Sequence, residues 1–181
     1  MAKYIRNILI SRTEIASMCQ RLGEQISADY AGHEVILVGV LKGAGMFMAD
    51  LVRYLTIPVR IDFIAVSSYG SGTRTSGVVK IAKDLDSDIT GKHVILVEDI
   101  VDTGLTLNHL RQLLGTRNPA SIAICTAFDK KERRMVDVTI EYVGMEIPNE
   151  FIVGYGLDFD GKYRNLPDVS IICDDSQGGE K

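Results

Sequence analysis

Apolar residues along this chain alternate between continuous runs and helical spacing. Val35–Leu41 (VILVGVL) and Val94–Val97 (VILV) are unbroken apolar runs of strand length, and Val59–Val66 and Ser121–Phe128 read as further strands. Such runs suit strands buried on both faces of a sheet. Ser11 or Thr13 is placed to cap a helix to about Tyr30, with Glu14 in its first turn and Gly32 as the break. A second helix is predicted after Lys42-Gly43-Ala44-Gly45, running to Leu55 ahead of a boundary at Pro58, and a third over Thr106–Leu114. Val78–Ala82 reads as a short strand. Strands alternating with helices predict an α/β fold, a mostly parallel central sheet flanked by helices. After about Lys130 the apolar runs shorten to Phe151–Val153 and Val169–Ile172, which predicts a small hood subdomain over one end of the sheet. Residues 1–181 are expected to form one domain, the hood drawing also on the N-terminus.

Two segments depart from this rhythm. Ser67–Gly77 (SSYGSGTRTSG) has almost nothing to bury and reads as a mobile loop between two strands. Val94–Thr106 (VILVEDIVDTGLT) starts as a buried strand, Val94–Val97, and then turns abruptly polar at Glu98-Asp99, so that Glu98–Gly104 reads as a loop. The C-terminal ends of strands are where α/β sheets bind ligands. Adjacent carboxylates repel, and a metal ion or a ligand's hydroxyls would offset that. The following Asp102-Thr103-Gly104-Leu105-Thr106 offers main-chain N–H groups, a glycine for close approach and two hydroxyls, and it leads into a helix N-terminus. That is a cradle for one phosphate. A sugar phosphate with free ribose hydroxyls would match both halves.

Composition narrows the classes further. Of 181 residues, 46% are hydrophobic and 24% charged, which excludes a disordered chain. Aromatics make up 7%, with no Trp, leaving few platforms on which single-stranded nucleic acid could stack. The net charge of −4 supplies no basic field for a polyanion. Cys19, Cys125 and Cys173 are far apart and form no CxxC, so a reduced, cytoplasmic chain is expected. The opening MAKYIRNILISRTEI lacks a signal-peptide pattern, and no run reaches the ~18 apolar residues of a membrane span.

The segment VILVEDIVDTGLT closely resembles the ribose-phosphate motif of the type I phosphoribosyltransferases, most of all their hypoxanthine-guanine branch. The resemblance extends over nearly the whole chain. It takes in Leu41-Lys42-Gly43, Ser68-Tyr69, Asp129-Lys130 and the stretch Phe151-Ile152-Val153-Gly154-Tyr155-Gly156-Leu157-Asp158. It implies the family's fold and a magnesium-dependent transfer of phosphoribose from 5-phosphoribosyl-1-pyrophosphate to a purine, as in salvage. By resemblance, Glu98 and Asp99 hold the ribose hydroxyls directly or through Mg2+. Asp102 is the general base at purine N7, and Thr103, Gly104, Leu105 and Thr106 cradle the 5-phosphate. Lys42 and Gly43 form the pyrophosphate loop, often entered in this family through a cis peptide, and Arg164 reaches the leaving group. Lys130 donates to a 6-oxo group, Phe151 stacks on the base, and Ile152 offers main-chain groups to its edge. Asp158 sits near that edge and a second magnesium, so the implied metal residues are Glu98, Asp99 and Asp158. Ser68 and Tyr69 belong to a lid. The implied partners are small molecules, a purine and phosphoribosyl pyrophosphate, with neither nucleic acid nor membrane, and the family commonly forms homodimers or homotetramers.

Leu105 stands where some relatives carry a lysine, and Ala44 where some carry a second glycine. Other classes find less support. The Gly-Lys pairs at 91–92 and 161–162 precede His93 and Tyr163, so no P-loop exists. Neither G-x-G-x-x-G nor G-x-S-x-G occurs, and His33, His93 and His109 lack metal-ligand spacing. The alternatives are a regulatory nucleic-acid-binding protein on the same scaffold, or an enzyme preferring another base such as xanthine.

Overall fold

The strands expected from unbroken apolar runs lie side by side at the centre of the molecule. The structure is a computed structural model and describes residues 3–68 and 79–174. In chain order the elements are β1 (Lys3–Ile10), α1 (Arg12–Asp29), β2 (Val35–Leu41), α2 (Ala44–Leu51), β3 (Val59–Ser68) and β4 (Val79–Lys83). They continue with β5 (His93–Val101), α3 (Leu105–Gly115), β6 (Ser121–Asp129), β7 (Tyr142–Glu146), β8 (Ile152–Val153) and β9 (Val169–Asp174). Six strands form the main sheet in the order β4-β3-β2-β5-β6-β7. All neighbours pair parallel except β4, which runs antiparallel to β3. A separate antiparallel sheet, β1-β9-β8, joins the N-terminal strand to the last segments of the chain.

Side-chain alternation along the strands divides the interior in two. Val35, Leu37, Ile95 and Val97 face α1, α2 and the smaller sheet, whereas Ile36, Val38, Val94 and Leu96 face Leu107, Leu110 and Leu114 of α3. Helix α1 starts at Ser11 in a reciprocal capping box: Glu14 N–H donates to Ser11 Oγ (3.3 Å), and Ser11 N–H donates to Glu14 Oε2 (2.9 Å). Its buried Ile15, Met18, Cys19, Leu22 and Ile26 recur at helical spacing. Among the described residues, no helix is long and apolar enough to cross a membrane.

Three expectations need correction. The polar stretch from Glu98 is strand rather than loop as far as Val101, because Glu98, Ile100 and Val101 stay in register with Thr126, Phe128 and Asp129. The backbone ladder overrides the change in side-chain character. Ser67 and Ser68 belong to β3, and Tyr69 with the rest of the expected lid lies outside the described residues. β1 and β7 were not expected. Their sequences, KYIRNILI and YVGME, carry charges or a glycine and no apolar run longer than Ile8-Leu9-Ile10, and pairing with β9 and β6 makes them strands.

Helix α2 carries Phe47, which is fully buried in the core on the α1 side of the sheet. Phe47→Ala should cost about 3–5 kcal/mol in urea unfolding, with a lowered midpoint and an unchanged slope.

Candidate active site

The buried strand β5 delivers two carboxylates to the open end of the sheet. Glu98 is buried and Asp99 half-buried. Burial, with the neighbouring Asp99 charge, pushes Glu98 well above the ordinary carboxylate range. Burial also raises Asp99, while hydrogen bonds and the Arg164 charge oppose the rise. A pair that resists double ionisation in this way is suited to a cation or to hydroxyl donors.

Gly43 closes in on the pair from the β2–α2 turn, entered through a cis Leu41–Lys42 peptide. A β-carbon on Gly43 would fall 1.6 Å from Asp99 Oδ2, so only glycine lets this turn lie against the carboxylate. Beyond β5, Gly104 adopts φ +81° as the residue capping α3. At the start of α3, Leu105 N–H donates to Thr103 Oγ1 (3.4 Å), with Thr106 in the same first turn. Thr103 O accepts from Met135 N–H (3.0 Å), which fixes the turn from the side of β6. A cavity of about 320 Å³ lies among Lys42, Gly43, Glu98, Asp99, the 102–106 turn, Asp158 and Arg164.

A second cavity of about 240 Å³ adjoins it, lined by Lys130, Phe151, Ile152 and Leu157 and sharing Asp99, Ile100, Asp102 and Asp158 with the first. Lys130 is buried at the end of β6, and its Nζ donates to the Glu150 carbonyl (2.6 Å). Burial lowers its proton affinity. Phe151 is exposed and meets Phe159 edge-on at 5.7 Å, while Ile152 is held in β8. Asp158 Oδ1 pairs with Arg164 (2.6 Å), and its Oδ2 accepts from Gly161 N–H (2.8 Å). Asp102 Oδ1 is buried and accepts no hydrogen bond among the described residues, with Arg133 Nε standing 2.7 Å away as an ion pair.

A model of the phosphoribosyl transferase domain matches residues 9–160. The chain belongs to the phosphoribosyltransferase family. This phosphoribosyltransferase is 52% identical over 172 residues to a hypoxanthine phosphoribosyltransferase of Salmonella typhimurium, covering 94% of this chain and 97% of the relative. It is 50% identical to a hypoxanthine-guanine phosphoribosyltransferase of Streptococcus thermophilus, covering 95% and 96%. Among solved structures it resembles the hypoxanthine-guanine phosphoribosyltransferase of Bacillus anthracis, with TM-score 0.90, 46% identity and coverage of 96% of this chain and 100% of that one.

The structure brings the expected residues of the phosphoribosyltransferase together around two adjoining cavities, apart from Leu105, which lines neither, Ser68, whose side chain is not described, and Tyr69, which lies outside the described residues. It gathers no group of three metal-ligating side chains among the described residues. Glu98 and Asp99 would therefore supply a magnesium ion with two carboxylates and leave its other positions to substrate oxygens and water, which is how Mg2+ is ordinarily held. Asp158 is already committed to Arg164 and Gly161. Sequence reasoning missed Arg133 at Asp102, because it stands in the basic run Lys130-Lys131-Glu132-Arg133-Arg134 with nothing to mark it out.

Raised carboxylates have a consequence for stability. The unfolded Glu98 ionises near 4.5, the native one higher, so the native state binds more protons between those values. Stability of the ligand-free protein must fall as pH rises through that window. Glu98→Gln should match the wild type in melting temperature at pH 4 and exceed it at pH 8.

Proposed function

We propose that this chain transfers phosphoribose from 5-phosphoribosyl-1-pyrophosphate to hypoxanthine and guanine, releasing pyrophosphate and the nucleoside monophosphate. The reading is carried by one observation: a phosphate-and-sugar cavity and a purine-sized cavity meet at a shared Asp102. The resemblance to enzymes named for that activity supports it.

In this reading the 5-phosphate lies on the N-terminus of α3, held by the N–H groups of Gly104, Leu105 and Thr106 and by the hydroxyls of Thr103 and Thr106. Glu98 and Asp99 face the ribose hydroxyls. The pyrophosphate lies towards Lys42, Gly43 and Arg164, and the charges of Lys42 and Arg164 balance what builds on the leaving oxygen. The purine enters the second cavity, its ring against Phe151 and its edge on the main chain of Ile152. Lys130 exchanges the Glu150 carbonyl for the 6-oxo oxygen. An ammonium donor there accepts an oxo group and rejects the 6-amino group of adenine. N9 attacks the ribose C1 from the face opposite the pyrophosphate. The C1–N9 bond forms as the C1–O bond breaks, and Asp102 takes the N7 proton. Glu98 and Asp99 would hold a magnesium ion, which when bound would supply positive charge against the negative charge of the pyrophosphate. Asp158, paired with Arg164, holds that arginine at the boundary between the two cavities.

We also infer a cytoplasmic, homo-oligomeric enzyme, a dimer or tetramer. A trough of about 850 Å³ runs beside α2, edged by the exposed Met46 and Tyr54, and suits a second copy of the chain. The free Cys19, Cys125 and Cys173 fit a reducing compartment.

Turnover of hypoxanthine and guanine, dependent on magnesium and phosphoribosyl pyrophosphate, is expected, with adenine inert and xanthine assayed beside them. No turnover of any base would overturn the reading. Asp102→Asn should lower kcat by about a hundredfold or more while leaving the Kd of phosphoribosyl pyrophosphate nearly unchanged. Lys130→Ala should raise the KM of the purine well above any change in that of the other substrate. Equal rises in both would remove Lys130 from the base.

A further inference from the structure

The turn Gly154-Tyr155-Gly156 lies between the strand that brings Ile152 to the purine cavity and Asp158. All three residues have positive φ: +99°, +48° and +95°. Glycines adopt this freely, but a tyrosine does so only where its surroundings hold it. The surroundings here are specific. A β-carbon on Gly154 would fall 2.0 Å from the Asp168 carbonyl, and Tyr155 N–H donates to Leu166 O (2.8 Å). The turn is thus fixed to the segment leading into β9. On its other side, a β-carbon on Gly156 would fall 2.2 Å from the Gly43 carbonyl. The turn therefore lies directly on the β2–α2 loop, the same loop that presses on Asp99.

Tyr155 is buried, and its side chain leaves the turn away from both cavities' reacting groups. Its hydroxyl donates to Asp50 Oδ2 (3.0 Å) in the last turn of α2, with Cys19 Sγ of α1 at 3.5 Å. A hydroxyl donating to a carboxylate is among the stronger neutral-to-charged bonds, and a buried phenol needs a partner. Helix α2 is consequently gripped at two places. Its start is packed under Gly156 through Gly43, and its end is bonded to Tyr155 through Asp50. Neither Tyr155 nor Asp50 lies within reach of the reaction as placed above.

We propose that Tyr155 is a positioning residue: through Asp50 it sets helix α2, and with it the Lys42-Gly43 loop, so that the pyrophosphate side of the site is formed against the purine side. The proposal rests on the assignment of Lys42, Gly43 and Arg164 to pyrophosphate. With the turn anchored on Leu166 and Asp168, release of the tie moves α2 rather than the turn. The loss falls on phosphoribosyl pyrophosphate and pyrophosphate, and the purine keeps its contacts.

The test compares Tyr155→Phe, Asp50→Ala, their double variant and Asp50→Asn, with Arg164→Gln as a reference for the pyrophosphate assignment. Steady-state kinetics in both directions are read beside calorimetric binding of phosphoribosyl pyrophosphate and melting temperature. Tyr155→Phe and Asp50→Ala should each raise the KM of phosphoribosyl pyrophosphate and of pyrophosphate about fivefold to tenfold, the net worth of one ordinary hydrogen bond. The purine KM should stay within about twofold, a change too small to represent a lost hydrogen bond. The double variant should be no worse than the poorer single one, since both remove the same bond. Asp50→Asn keeps an acceptor oxygen and should restore most of the affinity. A lowered melting temperature or kcat with unchanged KM values would reduce Tyr155 to a packing residue and overturn the proposal. So would additive losses in the double variant, or an equal rise in the purine KM. If Arg164→Gln raises the pyrophosphate KM and Tyr155→Phe does not, the tie alone fails. If Arg164→Gln leaves it unchanged, the pyrophosphate assignment fails and the tie with it.

Discussion

Two carboxylates forced side by side at the end of a buried strand set the terms for their surroundings. Glu98 and Asp99 cannot both hold their charge comfortably there, because burial removes water from both and the Asp99 charge raises the cost of ionising Glu98. The fold answers only in part. Arg164 lends its field to Asp99 while bound to Asp158, and hydrogen bonds from the strand's own backbone reach both acids, Asp99 N–H to Glu98 and Ile100 N–H to Asp99. The rest of the compensation is left to whatever enters. This is why backbone crowds in so closely: a glycine at 43 is the condition for a loop to share the space with an acid, and a glycine at 156 is the condition for a second loop to sit on the first.

Much of this was legible in the residues, for reasons that can be stated. Val35–Leu41 and Val94–Val97 are apolar on every residue, and only a strand covered on both faces satisfies that pattern. The capping box at Ser11 and Glu14 announces its helix by chemistry that needs no tertiary partner. The turn before α3 was legible as a candidate because Thr103, Gly104 and Thr106 set a glycine between two hydroxyls where a helix begins. β1 and β7 were not legible, since their strand character comes from β9 and β6, each more than twelve residues away in the chain. The ion pair of Arg133 with Asp102 and the bond of Tyr155 to Asp50 were hidden for the same reason. Nothing in a local window separates Arg133 from its basic neighbours, or Tyr155 from a core aromatic. Such contacts exist only once separate elements have been packed.

The site therefore has two layers of different origin. One is local: the acids and the phosphate turn follow one another within thirteen residues of sequence, and the strand-turn-helix unit alone sets their order. The other is assembled from afar, with Lys130 at the end of β6, Ile152 on β8 and Arg164 near the end of the chain brought to the same sheet edge. The parallel register of β5 with β6 connects the layers, since Val101 opposite Asp129 places the 102–106 turn beside Lys130.

The smaller sheet has a bearing on how the molecule comes into being. Its two principal strands, β1 and β9, come from opposite ends of the described chain and pair Lys3 with Asp174 and Ile10 with Val169. A ribosome releases the first of these long before it makes the second. The six-stranded sheet can organise on the nascent chain, but β1 has no partner strand in the roof above it until β9 has been made. A chain emerging from the ribosome thus carries the 102–106 turn and its acids well before β8, with Ile152, finds its partner in β9.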